Sequence, residues 1–112
     1  MITKKRLIVP IFDYIITIVI YDKWSDLESI LDEDLYRDSR ANGITVNYGN
    51  YSLVCIDKKH YSTIVHEAGH LVNSIWRYIG YNPQRDNDEP SQYLLTYLFE
   101  KIENVWKKHI TN

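Results

Sequence analysis

Thr63-Ile64-Val65-His66-Glu67-Ala68-Gly69-His70-Leu71-Val72 is the stretch on which the reading of this chain turns. Its apolar residues Ile64, Ala68, Leu71 and Ile75 recur at three- and four-residue intervals, which predicts a helix with one buried stripe. Ile79 continues that stripe, and Val72 and Trp76 widen it. Ser62 or Thr63 can cap the start, and Gly80 is a suitable C-terminal stop. Gly69 within the helix costs about 1 kcal/mol relative to Ala, so the sequence suggests that something packs closely against it.

Outward from this helix, the upstream half reads as sheet. The apolar stretch Leu7 to Tyr21, with Phe12 to Tyr21 as its clearest part, is apolar on both alternating faces apart from Asp13 and Thr17. That pattern predicts a central strand covered on both sides. Asp22 is a candidate N-cap for a helix carrying Trp24, Leu27, Ile30, Leu31 and Leu35, whose outer face is acidic. Ile44, Val46 and Tyr48 alternate with polar residues, Gly49-Asn50 signals a two-residue turn, and Tyr51 to Asp57 returns as a strand. Downstream, Tyr81 to Asp88 reads as a polar loop. A last helix starts near Asp88 to Pro90 and carries Leu94, Leu95, Leu98, Phe99, Ile102, Val105 and Trp106. The expectation is an α+β domain of about three strands with three helices: N-terminal, central and C-terminal. It occupies residues 1–112 as one domain, because 112 residues suffice for one modest core.

Composition narrows the function classes. The net charge is −2 and the basic residues are scattered, without the stripe that nucleic-acid binding needs. Met1 to Tyr21 imitates a signal peptide, yet Pro10 and Asp13 interrupt it, and β-branched residues outnumber Leu and Ala. Its apolar part is also shorter than the roughly 20 residues of a membrane-spanning helix, so neither nucleic acid nor membrane is an expected partner. Cys55 is the lone cysteine, in an apolar strand, and reads as a buried structural thiol in a reducing, cytoplasmic setting.

The chemistry sits in the opening stretch. His66 and His70, four residues apart on a helix, stand on one face one turn apart. Two imidazoles so placed can ligate one zinc ion (Zn2+), and in a His-Glu-x-x-His motif the glutamate, here Glu67, serves as general base toward a zinc-bound water. An open site needs a third protein ligand. Glu89 follows His70 by 19 positions, with Asp86 and Asp88 as alternatives. Glu100 lies about 16 Å beyond Glu89 along the last helix and is too distant to share the ion. Tyr93, one turn after Glu89, is a candidate donor to a developing oxyanion or an aromatic cover, and both readings stay open. Asn73 and Arg77 extend the His66/His70 face, while His60 and His109 read as surface or packing residues.

With His66-Glu67-Ala68-Gly69-His70 followed after 18 residues by Glu89, the chain resembles the gluzincin metallopeptidases. More narrowly, the stretch Asp88-Glu89-Pro90-Ser91-Gln92-Tyr93-Leu94-Leu95 resembles that of the small zincin-like proteins of bacteriophages and prophages. The resemblance implies a minimal zincin-like fold, zinc held by His66, His70 and Glu89, and Glu67 as the base of peptide hydrolysis. A peptide or protein substrate would then pair as an added strand with Ile44 to Tyr48 or Tyr51 to Asp57. Two alternatives accompany it: a non-catalytic zinc-binding accessory protein, and hydrolysis of a non-peptide amide by the same site.

Overall fold

The computed structural model describes residues 1–39, 41–83 and 88–111. Its elements are β1 (Ile2–Val9), β2 (Tyr14–Tyr21), a 3-10 turn (Trp24–Leu27), α1 (Glu33–Ser39), β3 (Gly43–Asn47), β4 (Tyr51–Asp57), α2 (Thr63–Ile79) and α3 (Glu89–Thr111). The class is α+β, with a four-stranded sheet in the order β1-β2-β4-β3. β2 pairs antiparallel with β1 and parallel with β4, while β3 pairs antiparallel with β4.

The sheet thus has four strands where the sequence suggested about three. The apolar stretch is not one strand: Pro10 has no N–H to give a ladder, and the chain reverses at residues 10–13 with Ile11 and Asp13 at positive φ. β1 is obscured in the sequence because Lys4, Lys5 and Arg6 break its alternation, as charges commonly do on an edge strand. β2 is central and buried as expected, with Tyr14, Ile16, Ile18, Val19, Ile20 and Tyr21 almost wholly inaccessible.

Alternation along the strands builds two apolar layers. Ile16, Ile18, Ile20, Val54 and Ile56 pack against Ile64, Ala68, Leu71 and Ile75 of α2 and Leu98 and Ile102 of α3. Val19, Tyr21, Leu53 and Cys55 pack on the opposite side against Leu27 and Leu31. Cys55 is fully buried, as its apolar context suggested, and burial, with the nearby Glu67 charge, pushes its thiol up to about 12.

Three local expectations are corrected. The helix foreseen across Trp24 to Leu35 divides into the 3-10 turn and α1, because the Asp32 carboxylate accepts the Asp34 N–H and begins a new turn there. Asp22 does not cap: the Asp26 carboxylate instead accepts the N–H groups of Asp22 and Lys23. Asp22 reaches the C-terminal helix, where Oδ1 lies 2.7 Å from His109 Nε2. His109 is a packing residue, 4 % exposed, with Nδ1 2.7 Å from Thr3 Oγ1. Ile79, the third correction, is exposed rather than part of the α2 stripe. Gly80 ends α2 at φ 77°, a left-handed conformation with no Cβ to clash, and its N–H reaches the Trp76 carbonyl. Among the described residues no helix is long and apolar enough to cross a membrane.

Candidate metal centre

α2 presents the two histidines to solvent and turns the residue between them inward. His66 and His70 are exposed, whereas Glu67 is only 4 % exposed. The two Nε2 atoms are 3.2 Å apart, and the rings stand nearly perpendicular at 85° with centroids 4.7 Å apart. Glu67 Oε1 accepts a 2.7 Å hydrogen bond from Thr45 Oγ1, and Oε2 lies 3.9 Å from His66 Nε2. Donor atoms of His66, Glu67 and His70 all fall within 4.8 Å of one another, a spacing that can hold a metal ion.

The edge strand β3 makes this geometry possible. Gly43 and Thr45, two residues apart, face the same side of the sheet, toward α2. A Cβ built on Gly43 would lie 2.6 Å from Thr63 Cγ2 and 3.1 Å from both the Cys55 carbonyl oxygen and Glu67 Cγ. Glycine there lets the start of α2 and the stem of Glu67 approach the strand, and Thr45 then meets the carboxylate. Neither residue was singled out from sequence. The signal for Gly43 was its place in a strand pattern, where glycine often marks a close approach. Gly69 is the opposite case: a Cβ there would meet nothing within 4 Å, so its absence leaves open space rather than room for a neighbour.

Over the histidines lies an open cleft of about 350 Å³ lined by His66, Gly69, His70, Val72 and Asn73 of α2 and by Ser91 and Leu95 of α3. Asn73 therefore lies where the helix face suggested. Ser91, not anticipated, accepts a 2.6 Å hydrogen bond from Trp76 Nε1 and ties the first turn of α3 to α2.

The remaining expected site residues are placed apart from this group. Tyr93 is 73 % exposed and lines a separate apolar groove with Val9, Phe12, Trp76 and Tyr97. Glu89, the first residue of α3, is exposed and outside the cluster of donor atoms. The helix explains both placements. Successive residues rotate by about 100°, so Glu89 and Tyr93, two positions either side of Ser91, project about 160° away from the cleft-lining direction. Asp88 precedes α3, is exposed, and accepts the Gln92 N–H at its backbone carbonyl. Asp86 lies outside the described residues. No protein-family model, curated protein or solved structure matches the chain.

Proposed function

We propose that this protein is a small zinc-dependent metallopeptidase of zincin-like type, in which His66 and His70 hold the metal and Glu67 is the general base. One observation carries the reading. Two nitrogen ligands at 2.0–2.1 Å on a tetrahedral ion stand about 3.3 Å apart, and the two Nε2 atoms are 3.2 Å apart before any ion is considered. Two imidazoles, completed by a carboxylate as third ligand, are a donor set of the type that zinc takes. When bound, zinc supplies Lewis acidity, lowering the pKa of a coordinated water from 15.7 toward about 7 and polarising a carbonyl.

The chain's own residues do the rest. Thr45 fixes Glu67 Oε1, which leaves Oε2 on the His66 side to accept a proton from water and deliver it to the departing amine. Of the two strands considered for pairing with an extended peptide, β4 is interior and β3 has the free edge beside α2. Strand addition is therefore assigned to β3. The resemblance to gluzincins makes Glu89 the third ligand, and Asp88, exposed just before α3, is the alternative. Zinc content of Glu89→Ala against Asp88→Ala decides between them: the ligand's variant loses metal and the other retains it.

The test of the whole reading is Glu67→Gln. Retained zinc and fold with loss of cleavage of an unstructured protein supports it. A wild-type protein that cleaves nothing in a broad peptide library sinks it. One observation favours a second reading, a zinc-binding accessory protein: Glu67 lies within ligand range of the histidines and could close the site itself. In that case Glu67→Gln loses zinc.

A further inference from the structure

The seam between β1 and α3 carries two adjoining depressions, on the part of the molecule built by the first strand and the last helix. One, of about 380 Å³, is bordered by Lys4 and Lys5 of β1 and by Lys101 and Lys108 of α3. Its floor is apolar, formed by Leu7, Ile18 and Val105. The other, of about 420 Å³, is almost wholly apolar and includes Val9, Phe12, Trp76, Leu94 and Tyr97. Both volumes lie in the range of small-molecule sites, about 300–1,000 Å³.

The two are consecutive along the same elements. Leu7 and Val9 are two residues apart, hence on one face of β1. Tyr97 and Lys101 are one turn apart on α3, and the Lys101 ammonium sits 5.4 Å over the Tyr97 ring. From Asn104 at the basic end to Leu94 at the apolar end, α3 advances roughly 15 Å, about the extended length of a lauryl chain.

Charge decides what suits this track. Lys58 and Lys107 are paired with carboxylates. Among the described residues Lys4, Lys5, Lys101 and Lys108 form no ion pair within 4 Å, although they border one cavity. Lys5, on the α3 side of β1, with Lys101 and Lys108 brings three ammonium groups to this depression without a counter-charge, which is unfavourable by mutual repulsion, and an anion between them removes that repulsion. The β1 lysines and the α3 lysines are about a hundred positions apart in the chain, so the sequence reads them as scattered.

We propose that the β1–α3 seam binds a single-chain anionic amphiphile, its head group among Lys5, Lys101 and Lys108 and its tail along Leu7, Val9, Tyr97 and Leu94. The site is separate from the histidine pair, and the proposal stands whether or not the protein is a peptidase. Calorimetric titration of the full chain tests it, using dodecyl phosphate below its micellar concentration, inorganic phosphate, and dodecyl maltoside. Dodecyl phosphate should bind saturably, one per chain, at least about tenfold tighter than either comparator. The double variant Lys101→Glu, Lys108→Glu should weaken it by about tenfold or more. Tyr97→Ser should weaken dodecyl phosphate while leaving inorganic phosphate unchanged. Amide shifts of wild type on titration, which require no variant to fold, should move at Lys5, Leu7, Tyr97 and Lys101. Equal affinity for inorganic phosphate would reduce the site to a plain anion site and overturn the proposal. So would equal affinity for dodecyl maltoside, or binding to anionic vesicles without binding of the monomeric amphiphile.

Discussion

Replacing Gly43 with alanine tests whether the close approach of α2 to the edge of the sheet is a steric requirement. Gly43 does not occupy the left-handed region, since only Gly49 and Gly80 among the glycines have positive φ. Its backbone is therefore one that alanine adopts freely. On conformational grounds alone, Gly43→Ala should stabilise the fold by about 0.4–1 kcal/mol, through loss of freedom in the unfolded chain. The space argues the other way. The new methyl group would sit 2.6 Å from Thr63 Cγ2, a stiff β-branched side chain, and 3.1 Å from a backbone carbonyl. Overpacking of this kind costs about 1–3 kcal/mol, so the expected net effect is a loss of about 1–2 kcal/mol. For a domain near 100 residues that is a fall in Tm of about 4–8 °C, read by thermal unfolding followed by circular dichroism. The sign is the diagnostic: a variant as stable as wild type, or more so, would refute the reasoning. A second arm isolates the contact. Thr63→Ser removes Cγ2 and should restore part of the loss, giving a coupling of about 1 kcal/mol in a double-mutant cycle. Recovery should be incomplete, because the Cys55 carbonyl and Glu67 Cγ remain at 3.1 Å.

Other outcomes follow from neighbouring features. Thr45→Val keeps the shape but removes the donor to Glu67 Oε1; a hydrogen bond to a charged group is worth about 1.5–3 kcal/mol. On the proposed peptidase reading, cleavage should fall by about tenfold or more with zinc content unchanged, and unchanged turnover would show that Thr45 does not position the base. The His109 ring, with Lys58, holds the Asp22 carboxyl below its ordinary 3.8. Because the folded-state value is the lower one, this contribution is present above about pH 4 and is lost as the pH falls through the folded value. Asp22→Asn should therefore flatten the acid side of a Tm-against-pH curve, and identical slopes in the two proteins would contradict the linkage. Cys55 should resist a thiol-reactive disulfide reagent at pH 8 until the protein is denatured, since it is fully buried and its thiol is pushed up to about 12. Rapid labelling of the native protein would place it at an accessible position instead.

How far the sequence could be read depended on how local the deciding interactions are. α2, its C-terminal glycine and the β3–β4 hairpin follow from spacings within a few residues, and each is found near its expected place. The His66/His70 pairing is likewise a property of one helix. What escaped was set by contacts between distant segments. β1 is an edge strand whose charges mask its period, and its partner lies across a reversal at residues 10–13. Glu67 is buried because Gly43 and Thr45, more than twenty positions upstream, form the wall it lies on. The separation of Tyr93 from the histidine cleft depends on how α3 is rotated against α2, which Ser91 and Trp76 fix and which no helical period reveals.

The pairing of Thr3 with His109 joins residues 106 positions apart and holds the last turns of α3 against the first strand. Its consequence lies in the order of assembly. A ribosome delivers β1 and β2 early, yet the surface that α3 covers stays exposed until residue 109 has cleared the exit tunnel. Contacts of such long sequence separation close slowly because the intervening loop must first be ordered. At about 5–20 residues per second, the nascent sheet waits several seconds with Ile18 and its neighbours uncovered. In that interval, as in the finished sheet, the lysines and arginine of β1 guard its outer edge against pairing with other chains.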